Sequence, residues 1–286
     1  MHMSFSDFKK KSRNSIEDLT KKLEETESKK SYKDDRFWRP QLDKASNGFA
    51  IIRFLPAPEN EDIPWAKLFS HGFQGKGGWY IENSRTTLGE NDPVSEANNE
   101  LWNSGIESDK DIARQRKRKM QFISNVLVIS DPANPENEGK LFLYKYGKKI
   151  FDKIQESMQP EFEDENPTNP FDFWKGANFK LKIRKVAGFI NYDKSEFEST
   201  SELFDGDDEK LEELWKKEYP LIAFTDSSNF KSYDELKKKF ERVIGSDIRS
   251  TEVSTGTVET ENASREDSVD EGETNALDYF ERLAKE

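Results

Sequence analysis

Apolar and polar residues alternate most clearly between residues 110 and 149. Residues 122–129 and 140–146 are two runs rich in aromatic and β-branched side chains. Runs of this length and composition predict strands that lie half-buried in a sheet. The intervening residues 131–137 hold two prolines and two asparagines, a composition typical of a loop. The pattern therefore predicts two consecutive strands around which the rest of the chain is organised.

The second of these strands has two unlike faces. Because side chains alternate along a strand, Phe142, Tyr144 and Tyr146 share one face, and Lys145 belongs to the other. Tyrosine rings beside lysines can stack bases and neutralise phosphates, as sequence-tolerant binding of single strands requires. A core strand with tyrosines at its rim is the alternative, and the pattern leaves it open. A basic cluster at residues 114–119 precedes the first strand, although most charge runs are only solvated faces.

The remaining pattern predicts further strands and helices on both sides of this pair. Strands are expected at residues 49–55, 65–69 and 179–186, and helices at residues 15–27, 150–158, 211–218 and 233–244. In the first of these strands Arg53 lies opposite to Ile52 and Phe54, so we expect its side chain to be exposed. Phe189 and Tyr192 are expected in the loop that follows the last strand.

Four glycines surround Lys76 within residues 71–81. Their spacing matches neither a Walker loop nor a dinucleotide-binding fingerprint, so the segment does not predict a mononucleotide site. A mobile hairpin tip that carries Lys76 and Tyr80 towards a phosphodiester backbone fits the composition better.

Composition limits the classes of protein that the chain can belong to. Of 286 residues, 33% are hydrophobic and 36% charged, so one large domain or two small ones must be accompanied by solvated or disordered segments. The absence of cysteine excludes disulfides, thiolate metal sites and cysteine nucleophiles. No signal-peptide pattern and no run of about 18 apolar residues occurs, so we expect a soluble intracellular protein without a membrane partner.

The net charge of −12 argues against a nucleic-acid partner until its distribution is considered. Residues 247–286 contain twelve acidic and four basic residues, so they carry −8 and leave −4 for the remainder. A basic footprint is judged by local patches rather than by the total charge. Only two histidines occur, and no nucleophile or metal constellation accompanies them. The sequence therefore predicts a binding protein rather than an enzyme.

Several short motifs in a fixed order resemble one known family. They are residues 50–56 (AIIRFLP), 71–73 (HGF), 78–82 (GWYIE), 117–119 (KRK), 131–140 (DPANPENEGK), 146–150 (YGKKI), 176–179 (GANF) and 188–193 (GFINYD). The chain resembles the single-stranded DNA-binding, helix-destabilising proteins of T4-type bacteriophages over residues 42–245. No single motif is specific, whereas their number and order are.

The resemblance implies a mixed α+β, mainly β fold. An OB-fold core with an inserted small subdomain, helical additions and flexible terminal arms is expected. Residues 1–30 correspond to a basic N-terminal arm, residues 31–247 to the DNA-binding core with the insert at about 71–118, and residues 248–286 to an acidic, disordered tail.

The resemblance also implies the binding residues. By position, the cleft residues are Arg53, Tyr80, Trp102, Lys117, Arg118, Phe122, Tyr144, Lys145, Tyr146, Phe189 and Tyr192. Our interpretation of the residues themselves adds Lys76, Arg116, Lys119 and Lys148 as phosphate contacts. Cooperative self-association is expected to use Lys9, Lys10, Lys11 and Arg13. The tail residues Leu277, Tyr279, Phe280 and Leu283 are expected to bind phage polymerase, helicase loader and recombinase mediator.

One departure from the family concerns stacking and another concerns metal. A tryptophan-tyrosine pair of the family is here Phe122-Ile123, so one stacking platform is missing. The family's structural zinc uses one histidine and three cysteines, of which only the histidine persists, as His71. Serine hydroxyls are poor zinc ligands. We predict no zinc and no other cofactor. The approximate cysteine positions are Ser84, Asp92 and Ser95, and the packing expected to hold the subdomain uses Leu88, Val94 and Trp102.

Together these expectations describe a non-enzymatic protein of phage DNA replication, recombination and repair. It is expected in the host cytoplasm, where it coats unpaired strands cooperatively and without sequence preference. An RNA-binding translational regulator that uses the same cleft is the alternative, because base stacking serves both nucleic acids.

Overall fold

The structure, a computed structural model, describes residues 34–162 and 165–245. The predicted basic arm at residues 1–30, its helix at residues 15–27 and the acidic tail at residues 248–286 therefore lie outside the described residues. The same holds for the self-association residues Lys9, Lys10, Lys11 and Arg13 and for the tail residues Leu277, Tyr279, Phe280 and Leu283.

Strands make up most of the regular structure in the described part of the chain. They are β1 (Phe37–Trp38), β2 (Gly48–Phe54), β3 (Ala66–Gly75), β4 (Gly78–Asn83), β5 (Lys119–Ser130), β6 (Leu141–Gly147), β7 (Ala177–Val186), β8 (Phe189–Asn191) and β9 (Glu196–Thr200). The α-helices are α1 (Pro93–Asn103), α2 (Glu107–Gln115), α3 (Lys148–Met158), α4 (Asp208–Lys216) and α5 (Tyr233–Ile244). The described chain is thus mixed α/β and mainly β. None of the described helices is long and apolar enough to cross a membrane.

The central strand is β5, which pairs with β2, β3 and β6. The sheet order is β1-β6-β5-β2-β7-β8, while β3 joins β4 to β5 and β9 pairs with β7. The two strands that the sequence pattern centred on are confirmed as β5 and β6. They are antiparallel, and Phe122 lies opposite Tyr146.

The main core lies on one face of these strands. Aromatic rings dominate it, because Phe54 contacts the rings of Tyr146, Phe171 and Phe179 within centroid distances of 5.6–5.8 Å. Helix α3 covers this face with Ile150 and Ile154. Alternating apolar positions and a covering helix together explain why the predicted strands and this helix form where the pattern placed them.

The prediction that Arg53 is exposed is wrong. Strand β2 is flanked by β5 and β7, and its second face is covered by residues 172–176 and 201–203, so Arg53 is fully buried. Its guanidinium donates hydrogen bonds to the carbonyl oxygens of Asp172 at 2.8 Å and Ser201 at 2.9 Å. Alternation along one strand cannot reveal a cover that comes from more than 100 residues away in the chain.

Helices α1 and α2 form the insert between β4 and β5, and the sequence pattern did not predict them. Asp92 caps α1, because its side chain accepts from the backbone N–H groups of Val94 and Ser95, and Pro93 follows at the first helical position. Val94 is fully buried, as expected. Trp102 is 48% exposed instead of holding the subdomain, and the Arg114 guanidinium lies 5.5 Å from its ring centroid.

Helix α5 completes the core of the insert. Its apolar side chains form one cluster with β3, β4 and α1, made of Phe73, Tyr80, Val94, Leu236, Phe240 and Val243. The bounds of α5 agree with the predicted residues 233–244 because Ser232 and Glu235 form a reciprocal capping box. Leu88 packs against a different cluster, around Ala66 and Leu68.

The glycine-rich segment forms the β3–β4 hairpin, but its tip is not a mobile loop. Gly77 N–H donates to the carbonyl oxygen of Val243 at 2.8 Å. A Cβ on Gly75 would lie 2.3 Å from the Val243 oxygen, and one on Gly77 would lie 2.0 Å from the Arg242 oxygen. These glycines therefore permit the hairpin to lie directly against the end of α5.

The alternation predicted for residues 179–186 is confirmed in β7, where Phe179, Leu181 and Ile183 are buried. The basic face is neutralised by neighbouring carboxylates rather than left open. The pairs are Lys180 with Glu198, Lys182 with Glu196 and Arg184 with Asp193. Phe189 belongs to strand β8 and not to a loop, because β7 and β8 form a short hairpin.

Candidate nucleic-acid interface

A column of four aromatic rings runs through the main core. Tyr144 stacks on Tyr146 at 5.4 Å and 26°, and Tyr146 stacks on Phe122 at 5.8 Å and 18°. Phe122 in turn stacks on Phe151 of α3 at 3.8 Å and 4°. All but Phe151 are buried. Each ring therefore occupies a stacking face of the next.

The rings of Tyr144 and Tyr146 are buried in this conformation, which keeps them from contacting a ligand. The Tyr146 hydroxyl lies 2.9 Å from Ser124 Oγ, and burial raises the pKa of this tyrosine. The core-strand alternative therefore describes these tyrosines better than an exposed stacking platform does. Their rings support the surface from below and do not reach a ligand here.

Tyr80 is also fully buried, although the sequence placed it near a phosphodiester backbone. Its ring stacks on Phe73 at 5.1 Å and meets Phe240 edge-on at 6.1 Å. Its hydroxyl is buried without a hydrogen-bond partner among the described residues, and burial raises its pKa. Tyr80 therefore packs the insert against α5.

Arg116 lies half-buried in the same region. Its guanidinium carbon is 5.7 Å from the Phe73 ring centroid and 5.5 Å from that of Phe240. Burial lowers the pKa of Arg116. Because its backbone carbonyl also accepts from His71 and Asn98, Arg116 joins the insert to α5 and is poorly placed for phosphate contact.

An exposed cationic and aromatic surface lies at the β3 edge of β5. The Arg118 guanidinium lies 3.8 Å from the Phe69 ring centroid, and Lys67 Nζ lies 5.3 Å from it. Lys67 is opposite Phe122 in the β3–β5 register, and Phe69 is opposite Met120. Lys67 and Arg118 are exposed, and the other members are half-buried. We call this the edge surface; it comprises Trp65, Lys67, Phe69, Arg118, Met120 and Phe151.

Two further predicted cations lie on the other face of the same strands. Lys119 and Lys145 share that face, because Lys145 is opposite Ile123 and side chains alternate along β5. Lys117 is exposed just before β5. Lys148 is exposed at the start of α3, where it pairs with Asp152 at 2.8 Å. The basic cluster thus wraps around the end of β5 instead of forming one flat patch.

The structure does not bring every predicted residue to this place. Trp102 is exposed near the end of α1, and Lys76 is exposed at the tip of the β3–β4 hairpin. Phe189, 39% exposed, lies on β8, which β2 and β7 separate from β5 in the sheet. Tyr192 is half-buried against the main core.

Of the six residues of the edge surface, sequence reasoning identified only Arg118. Among the five that it missed, Trp65, Lys67 and Phe69 occupy alternate positions, with Trp65 directly before β3 and the other two on one face of it. The alternation was visible in the sequence. Its significance was not, because only the β3–β5 register places this face beside Arg118.

The positions of the family's zinc ligands also converge in this chain. His71 Nε2 lies 3.2 Å from Ser95 Oγ and 3.3 Å from Asp92 Oδ1, and Nδ1 lies 3.0 Å from the Arg116 carbonyl oxygen. Burial by itself raises the pKa of Asp92, but the hydrogen bond and charge of His71, with further hydrogen bonds, lower it to about 2. Ser84 is buried beside them.

This donor set does not fit a tetrahedral zinc site. Imidazole and carboxylate supply only two good ligands, and the remaining positions hold neutral serine hydroxyls. Within residues 34–162 and 165–245 no group of three or more histidine, cysteine, aspartate or glutamate side chains is arranged to hold a metal. His71 and Asp92 instead bond to each other and to the start of α1.

A β-sheet that presents cations beside partly exposed rings is typical of nucleic-acid-binding proteins. The family model described as "gp32 DNA binding protein like" matches residues 46–244, so the chain belongs to this family of DNA-binding proteins, which are not enzymes. The resemblance inferred from the motifs is thereby confirmed.

Relatives with curated names support the same assignment. The chain is 41% identical to the single-stranded DNA-binding protein of Enterobacteria phage T2 over 244 residues, 83% of this chain and 80% of that protein. It is 42% identical to the single-stranded DNA-binding protein of Enterobacteria phage T4 over 224 residues, 76% of this chain and 73% of that protein.

Proposed function

We propose that this protein binds single-stranded DNA without sequence preference and that its sheet is an OB-fold. The observation that carries the proposal is the edge surface, where Arg118 lies over the Phe69 ring beside Lys67. Support also comes from the T2 and T4 relatives, whose names state this activity.

In the proposed mechanism phosphates contact the cations around the end of β5, and bases stack on the rings of the edge surface. Every base has a face that can stack, so binding tolerates any sequence. Paired bases have no free face to offer, which favours unpaired strands and lowers duplex stability by mass action. The phosphate contacts are Lys67, Lys117, Arg118, Lys119 and Lys145, and the stacking rings are Trp65, Phe69 and Phe151.

The other predicted binding residues fall into two groups according to the burial of their side chains. Lys76, Trp102, Lys148, Phe189 and Tyr192 are exposed or half-buried and stay predictions. A contact to DNA from Arg53, Tyr80, Phe122, Tyr144 or Tyr146 requires that the core open, because all five are buried. The proposal does not use them.

The finer functional assignments also belong to the proposal. Neighbouring molecules are proposed to associate along DNA through Lys9, Lys10, Lys11 and Arg13. The acidic tail is proposed to recruit replication and recombination proteins in the host cytoplasm. Zinc is proposed to be absent; colorimetric release of one equivalent of zinc from denatured, chelator-washed protein would contradict this.

A paired set of variants tests the edge surface. Lys67→Ala/Arg118→Ala removes two cations there, and Lys210→Ala/Lys216→Ala removes two from α4, where each pairs with a carboxylate. Both variants have the same net charge. The measurement is oligothymidine affinity across a salt series, followed by tryptophan emission.

Loss of two phosphate contacts should reduce the slope of log affinity against log salt by about 1.4, because each contact on a single strand contributes about 0.7. The α4 variant should keep the parental slope. Equal slopes for all three proteins would show that the edge surface does not contact DNA.

A further inference from the structure

Asp92 lies at the centre of a hydrogen-bonded network inside the insert. Its buried carboxylate accepts from the backbone N–H groups of Arg85, Val94 and Ser95 at 3.0–3.2 Å. His71 Nε2 lies 3.3 Å from the same carboxylate. A buried charge is tolerated when hydrogen-bond donors surround it. Asp92 therefore joins the turn after β4, the start of α1 and strand β3 in one network.

His71 extends this network to the residues before β5. Its Nδ1 lies 3.0 Å from the carbonyl oxygen of Arg116. A carbonyl oxygen can only accept, so Nδ1 carries the hydrogen and donates it. Asn98 Nδ2 of α1 donates to the same oxygen at 2.9 Å. Two side chains, one from β3 and one from α1, thus hold the backbone of Arg116.

Arg116 stands directly before two cations to which the proposed function assigns phosphate contacts. Lys117 and Arg118 connect it to Lys119, the first residue of β5. Lys119 is held by its pairing with Ser70 of β3. The connection is therefore fixed at both ends, and the hydrogen bonds to Arg116 fix the end that the sheet does not. Side chains on a fixed segment lose less conformational entropy when they bind a ligand.

The chemistry of the site favours hydrogen bonds over a metal for this link. Of the four converging positions, only His71 and Asp92 offer good zinc ligands, and Ser84 and Ser95 hold neutral hydroxyls. Three backbone N–H groups already occupy the oxygens of the Asp92 carboxylate. The network therefore makes the connection that a metal site would otherwise make.

We propose that His71 and Asn98 are positioning residues for DNA binding, and that Asp92 holds both of them in place without a metal. The inference rests on the proposed function, because it concerns where Lys117 and Arg118 meet phosphates. His71 is buried and acts only through the backbone of Arg116. Helix α1 thereby influences the edge surface, to which it contributes no side chain.

Two replacements of His71 separate its two contacts. An asparagine side chain ends at the level of Nδ1, so His71→Asn can keep the donor to Arg116 and lose the contact with Asp92. A glutamine side chain reaches the level of Nε2, so His71→Gln can keep the contact with Asp92 and lose the donor to Arg116. Asn98→Leu removes the second donor from a different element, and the Asn98 oxygen that it also removes has no hydrogen-bond partner among the described residues.

The measurement is oligothymidine affinity across a salt series on full-length, chelator-washed proteins, at a temperature where urea unfolding shows each variant to be fully folded. We expect His71→Gln and Asn98→Leu to reduce the slope of log affinity against log salt by about 0.7–1.4, the contribution of one to two phosphate contacts on a single strand. His71→Asn should keep the parental slope. Addition of one equivalent of zinc should change none of these slopes.

Three results would overturn the proposal. Parental slopes in His71→Gln and Asn98→Leu, with only the unfolding midpoints lowered, would show that both residues are merely structural. Equal losses of slope in His71→Asn and His71→Gln would exclude the Arg116 carbonyl as the link. A gain of affinity on adding zinc would contradict a network without metal. Should His71→Gln fail to fold, Asn98→Leu decides alone.

The variant Lys67→Ala/Arg118→Ala, measured alongside, tests the proposed function separately. If it lowers the slope while His71→Gln and Asn98→Leu do not, only the positioning inference fails. If it leaves the slope unchanged, the proposed function fails, and the positioning inference fails with it.

Discussion

Replacement of Arg53 by methionine should destabilise the fold and leave DNA binding almost unchanged. The Arg53 guanidinium donates hydrogen bonds to the carbonyl oxygens of Asp172 at 2.8 Å and Ser201 at 2.9 Å. It makes a longer hydrogen bond of 3.4 Å to the carbonyl oxygen of Phe173. These bonds join β2 to residues 172–176 and to the chain after β9. A methionine side chain has a similar length but no hydrogen-bond donor.

The magnitude follows from the two short bonds. A hydrogen bond from a charged group contributes about 1.5–3 kcal/mol, and buried carbonyls left unpaired add a desolvation cost. We therefore expect the free energy of unfolding to fall by about 3–5 kcal/mol. Arg53→Lys keeps the charge but lacks the planar fork, so it should recover only part of this loss.

Urea unfolding followed by tryptophan emission measures the change, since the chain has six tryptophans. The inverse control is Lys67→Met on the edge surface, which should leave stability within about 0.5 kcal/mol, as for other exposed sites, and reduce the salt slope of DNA binding by about 0.7. If Arg53→Met reduced the salt slope and left the unfolding midpoint unchanged, our account of this residue would be refuted.

Two further predictions concern stability. Glu218→Gln should raise the free energy of unfolding at pH 7 by about 1–3 kcal/mol. The folded-state pKa of Glu218, about 9, exceeds its unfolded value. The contribution of this carboxyl to the free energy of unfolding is therefore fully present below about pH 4.3 and is lost as pH rises towards 9. Chemical unfolding at several pH values measures this, and a variant whose free energy of unfolding fell with pH as steeply as the parent's would contradict it. Gly77→Ala should cost about 1–3 kcal/mol because its Cβ would lie 2.0 Å from the Arg242 carbonyl oxygen. The matched control is Gly72→Ala, whose Cβ would lie no closer than 3.5 Å to another atom, Lys119 Nζ. Equal thermal midpoints for the two variants would argue against the tight contact at Gly77.

The elements that the sequence predicted well are those whose cause is local. Helix α5 begins at a capping box, and β7 alternates apolar with basic residues, so neither depends on distant parts of the chain. Helix α1 carried the signal of Asp92 followed by Pro93, but its thin apolar stripe hid it.

The parts that the sequence could not predict depend on contacts between distant segments. Arg53 is buried by residues 172–176, and Tyr80 by Phe240, in each case across more than 100 residues. Aromatic residues are equally suited to stacking on a base or on one another. Only the packed structure shows that Phe122 and Tyr146 stack on each other, whereas Phe69 keeps a cationic neighbour at the edge.

This distinction changes which residues carry the proposed function. A strand rich in tyrosine suggests a binding platform, yet here it forms the interior on which a smaller exposed surface rests. The proposed contacts consequently move outward, from the buried rings of Phe122, Tyr144 and Tyr146 to Trp65, Phe69 and Phe151 with the neighbouring cations. Conservative changes in those three buried rings should therefore act through stability and not through direct contact with DNA.

The central claim is that the full-length protein prefers unpaired DNA because its cations lie beside rings that need a free base face. The most direct measurement is a competition titration in which oligothymidine, a duplex of equal length and a matched oligouridine are compared over a salt series. We predict that oligothymidine binds at least about 100-fold more tightly than duplex and that its affinity falls steeply with salt. Equal affinity for the duplex, tighter binding to oligouridine, or no binding to oligothymidine at low salt would contradict the account.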